Sequence, residues 1–64
     1  MAGEALDPAR PNRLTFAVPA ADALTRFVAR QPCDAQHRHG DPMRGIVAGV
    51  KVGTAIALVA VDVP

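Results

Sequence analysis

Between positions 45 and 61 the chain reads Gly-Ile-Val-Ala-Gly-Val-Lys-Val-Gly-Thr-Ala-Ile-Ala-Leu-Val-Ala-Val, with Lys51 as its single charge. A run this apolar has to leave water, either as a helix in a bilayer or as strands in a sheet. Gly45, Gly49 and Gly53 recur every four residues. On a helix this spacing stacks them on one face, where a missing Cβ lets a second backbone approach. The run lies near the lower length limit for a membrane span. Lys51 costs about 2.5–3.5 kcal/mol at the bilayer centre, and each of the eight Ile, Val and Leu residues returns about 0.3–0.6 kcal/mol. The sum is near break-even once the glycines and Thr54 are counted. Lys51 sits in the first half of the run, so its amine can reach back to the near interface. Arg38 and Arg44 precede the run and Asp62 follows it, which places the N-terminus in the cytoplasm by the positive-inside rule.

The alternative is a sheet. Val and Ile form strands readily, and Gly53-Thr54 can turn one strand back on another. Residues 57–61 followed by Asp62 have the pattern of a buried strand with an acid at its carboxyl end. On that reading the chain is a small α+β module with a Val-rich hairpin, or a fragment of a larger α/β protein.

Upstream, residues 1–12 hold Glu4, Asp7, Pro8, Arg10 and Pro11 with hardly an apolar anchor, the composition of a disordered arm. Residues 13–18 alternate, with Leu14, Phe16 and Val18 on one side as in a short strand, and Pro19 ends the run. From 20 to 31 the period becomes helical. Ala20, Leu24, Phe27 and Val28 share one face, and Asp22, Arg26 and Arg30 the other. Asp22 and Arg26 form an i,i+4 pair in the favourable order. Residues 32–44 read as a polar hinge bracketed by Pro32 and Pro42. The predicted fold is thus all-α and small: a disordered arm, a strand-like segment with a short amphipathic helix over 13–31, a hinge, and an apolar helix over 45–63.

The chemistry on offer is sparse. A net charge of +1, scattered arginines, two phenylalanines and no Trp or Tyr leave no basic stripe with stacking aromatics, so nucleic acid is not a predicted partner. Cys33 is the only cysteine and cannot form an internal disulfide. Ser is absent, and Gly45-x-x-x-Gly49 lacks the Lys-Ser/Thr ending of a phosphate loop. Cys33, His37, His39 and Asp41 place four potential Zn²⁺ ligands in one loop, with His37 and His39 on the same side of an extended stretch. Structural zinc sites draw on two separated ligand pairs, which this cluster does not supply, so no cofactor is predicted. His37-Arg-His-Gly-Asp41 resembles the first five positions of the His-x-His-x-Asp-His motif of the metallo-β-lactamase fold family. Pro42 stands where the final His belongs, and no catalytic role is carried over. No catalytic residue, small-molecule substrate or enzymatic activity is predicted.

These readings converge on a small single-pass membrane protein. It would act as a structural or regulatory partner through its Gly45/Gly49/Gly53 face, packed on another transmembrane helix from a second copy or a larger complex. The alternative is a soluble accessory or interaction module in the cytoplasm. A small zinc-dependent domain ranks behind both.

Overall fold

In the computed structural model, which describes residues 2–37 and 40–64, the apolar run folds as two antiparallel strands. The elements in chain order are β1 (Ala2–Gly3), β2 (Arg13–Pro19), α1 (Ala20–Arg26), β3 (Pro32–His37), β4 (Met43–Val52) and β5 (Ile56–Asp62). They form one sheet in the order β1-β3-β4-β5-β2. Every pairing is antiparallel except β1 on β3, where Ala2 lies opposite Gln36 and Gly3 opposite His37.

The run becomes a hairpin for local and tertiary reasons. Its β-branched residues suit a pleated surface better than a helix, and Gly53 interrupts it where a helix would lose most. The chain reverses over 53–55, with the Gly53 N–H donating to the Ile56 carbonyl at 3.0 Å. Strand alternation then sends Ala57, Val59 and Val61 of β5 inward, where all three are fully buried. β2 flanks β5 with Leu14, Phe16 and Val18 facing the same core, as the alternation in its sequence requires.

A register shift between Val47 and Gly49 marks a bulge at Ala48. Before it, Gly45 and Val47 point inward; after it, Gly49 and Lys51 lie opposite Ala60 and Leu58, which face outward. The glycines therefore do not share a face. Gly45 is buried, Gly49 has open space where a Cβ would stand, and Gly53 belongs to the turn.

The sheet curls until residues 2–4 join its two edges. Ala2 and Gly3 lie along β3, and Glu4 crosses to β2. There the Glu4 N–H donates to the Thr15 carbonyl at 3.2 Å, and the Thr15 N–H donates to the Glu4 carbonyl at 2.8 Å. Inside the curl lie Leu14, Val47, Val59 and Val61, the largest side chains removed entirely from water. Among the described residues no polar or charged side chain is buried.

The all-α expectation is therefore overturned: the single helix among the described residues has seven residues, and strands dominate. No described helix is long and apolar enough to cross a membrane, so the single-pass span and its glycine zipper fall with it. The N-terminal arm contributes strand pairing rather than disorder, and half of the hinge is β3. Arg44, read as a membrane-flanking charge, instead lies opposite Asp34 across β3 and β4, with Nε 3.3 Å from its carboxylate.

The short helix also turns a different face to the core. Ala23 is buried, whereas Leu24 is 74 % exposed and Val28 lies beyond the helix at 61 %. Phe27 breaks the helix by taking an extended conformation, and its ring meets the edge of Phe16 with centroids 6.1 Å apart. Arg30 then adopts a positive φ of 72° as the chain turns into β3, its N–H donating to the Val47 carbonyl at 2.8 Å.

Candidate interaction surface

The alternation that fills the core also determines the outer face. On β2 it leaves Arg13, Thr15, Ala17 and Pro19 outside, and on β5 Ile56, Leu58, Ala60 and Asp62. Register sets these residues side by side as Pro19 with Ile56, Ala17 with Leu58, Thr15 with Ala60 and Arg13 with Asp62. The first three pairs make a strip that is apolar except for the Thr15 hydroxyl. Ile56 is 57 % exposed and Leu58 43 %. Leu6, 65 % exposed, borders the same strip from the N-terminal segment.

Beside Thr15 and Ala17 the surface dips into an open cleft of about 470 Å³, lined further by Gly3, Glu4, Leu6, Phe16 and Leu58. A shallower depression continues along Ala17 and Pro19 to Ala55 and Ile56. Among the described residues Thr15 and Glu4 are the only polar side chains on the cleft. One hydroxyl and one carboxylate at the mouth of an open groove do not form a water-excluded reaction site. An apolar lining with little polar content is suited to contact with another apolar surface.

Backbone groups at this edge are nearly used up. Thr15 spends its N–H and carbonyl on Glu4, and the ladder's two-residue period turns those of Ala17 the same way, toward open space. Pro19, the next residue of that parity, has no N–H. The open edge thus offers one residue, too short for an added strand.

One end of the strip is closed by an ion pair. The Arg13 Nε donates to one carboxylate oxygen of Asp62 at 2.7 Å and its Nη2 to the other at 3.0 Å. This hydrogen bonding is the main reason Asp62 titrates below the usual aspartate range, with the charges of Arg13 and Arg10 adding to it and desolvation opposing it. A depressed folded-state pKa contributes stability that is present above the ordinary aspartate range and is lost as the pH falls through the depressed value. The side chains are 31 % and 50 % exposed, so solvent screens the pair and its increment is small. Below about pH 4, wild type is therefore expected to lose thermal stability more steeply than Asp62→Asn. Equal acid limbs in melts of the two proteins would show that the pair contributes nothing.

The three glycines singled out by sequence are dispersed. Gly45 is in the core, Gly49 on the outer face of β4 and Gly53 in the hairpin turn. Cys33 is half buried in β3 against the core, its Sγ 3.6 Å from the Asp34 carbonyl, and Asp41 is exposed on the following loop. His39 and the side chain of His37 lie outside the described residues. Among the described residues no three His, Cys, Asp or Glu side chains gather as metal ligands would. The strip itself went unnoticed in the sequence because its members belong to three separate segments. Its signal was present in the outward parity of Ile56 and Leu58 once residues 56–62 are taken as a strand. Family models, curated proteins and solved structures give no match to this chain, so its function has to be read from its own geometry.

Proposed function

We propose that this chain is a non-enzymatic interaction module that binds a partner through the apolar strip on the outer face of β2 and β5. The observation that carries this reading is the side-by-side exposure of Leu58 and Ala17, extended by Ile56 along β5 and by Leu6 across the cleft. Scattered apolar side chains are ordinary on protein surfaces, but a contiguous group with charges only at its borders is a contact surface. The strip lies on β5, held by ladders on both sides, and on β2, held by β5 along its length and by Glu4 at Thr15, so it is presented with little ordering cost on binding.

Dye binding tests this. At low micromolar concentration an anilinonaphthalene sulfonate dye is expected to fluoresce on wild type and to lose most of that signal on Leu58→Ser/Leu6→Ser. Both side chains point outward, so the far-UV CD spectrum of the variant is expected to match wild type. Equal dye binding by variant and wild type, or none by either, would sink the proposal.

A further inference from the structure

We infer that the strip is covered by a second copy of this chain, packed face to face about a two-fold axis running along the strands; this rests on reading the strip as an interaction surface. The first argument is the arrangement of charge. Lys51 stands opposite Leu58 on the β4 side of the strip, exposed, and among the described residues it pairs with no carboxylate. Glu4 stands on the other side, exposed and bridged to Thr15 where it lines the cleft. A half-turn about an axis parallel to β5 lays the β4 side of one copy over the N-terminal side of the other. Each copy's Lys51 then lies over its mate's N-terminal side, two residues along the strands from the level of Glu4 and within the span of a lysine side chain, twice over. A two-fold across the strands would set Lys51 toward Lys51, so charge selects the axis. Glu4 needs only to lie on that side, since a carboxylate accepts several donors.

Size and shape agree with this. Along the chosen axis Leu58 of one copy lies over Ala17 of the other, a large residue against a small one in both directions. The chain exposes 4373 Å². A folded monomer of 6.7 kDa exposes about 3,900 Å² by the mass scaling. The chain thus exposes more surface than its mass requires, as one with surface left to bury would. Strand addition is the other route to self-association in β proteins, but β2, the edge that borders the strip, has a single free residue to offer it. A chain this short, with one cysteine and a small aliphatic core, gains from such support.

Analytical ultracentrifugation of the full chain, from roughly 5 μM to 1 mM, tests the inference, with the dye read in parallel. Wild type is expected to move from monomer to dimer across this range, and dye fluorescence per chain to fall as the dimer forms. Leu58→Glu is expected to raise the dissociation constant at least ~10-fold. Lys51→Glu raises it ~3–10-fold, and Lys51→Glu combined with Glu4→Lys restores it to within about threefold of wild type. CD spectra of all variants check that the fold is kept. A chain that stays monomeric while binding dye at constant stoichiometry overturns the second copy and leaves the interaction surface standing. A dimer indifferent to Leu58→Glu, or a charge reversal without rescue, also overturns it. A monomer that binds no dye at any concentration overturns both.

Discussion

Replacing Leu14 by alanine is expected to lower stability by about 2–5 kcal/mol, the range for truncating a buried leucine. Leu14 is entirely buried and lies opposite Val61, which is buried as completely. A domain of 64 residues has roughly 3–10 kcal/mol of stability in all, at the usual 0.05–0.15 kcal/mol per residue. One truncation therefore removes a large share of it. The cavity has little means of collapsing, because β2 is tied to β5 along its length and to Glu4 at Thr15. Urea titration followed by far-UV CD reads the effect as a much lower midpoint. Leu24→Ala is the informative control. Leu24 is 74 % exposed on α1, so its truncation should change stability by no more than about 0.5 kcal/mol. If the larger loss came from Leu24, the helix would be anchored by the face its sequence periodicity suggests, and the arrangement described above would be wrong.

Gly45→Ala and Gly49→Ala are expected to part company, although both exchange a glycine for alanine in the same strand. At Gly45 a Cβ would stand 2.5 Å from the backbone oxygen of Asp62 and 2.6 Å from a methyl carbon of Val61. Neither a backbone carbonyl in a sheet nor a fully buried valine can move aside freely, so the cost is about 1–3 kcal/mol of overpacking. At Gly49 a Cβ meets nothing within 4 Å. Losing the glycine there restricts the unfolded chain and is neutral or stabilising by up to about 1 kcal/mol. Thermal melts of the two variants give the comparison. Equal losses at both positions would be the behaviour of glycines stacked on one packing face, the arrangement their four-residue spacing suggests for a helix.

Some of this protein was legible before its structure. The alternation at Leu14, Phe16 and Val18 identifies the inward face of β2, because a strand's parity is a local property. The Asp22 and Arg26 side chains do meet on α1, at 3.8 Å, for the same reason of short-range geometry. The exposed apolar strip was much less legible. Ile56, Leu58, Ala17 and Leu6 come together only through the β2–β5 register and the path of the N-terminal segment. The arm was misread because backbone hydrogen bonding, which needs no apolar side chain, ties Ala2, Gly3 and Glu4 to both edges of the sheet.

The amino-acid sequence is enough to require that part of residues 45–61 be buried, to provide β2 with one apolar face, and to exclude an aromatic-rich core and an internal disulfide. Those consequences follow from composition and parity over a few neighbouring residues. The choice between helix and hairpin for the apolar run, toward which its β-branched residues lean only weakly, rests on tertiary contacts. β2 and β4 supply β5 with hydrogen-bonding partners on both sides, and Leu14 and Val47 share its core. The bulge at Ala48 then assigned Gly45 and Gly49 to opposite faces, a change of parity that no four-residue spacing could announce.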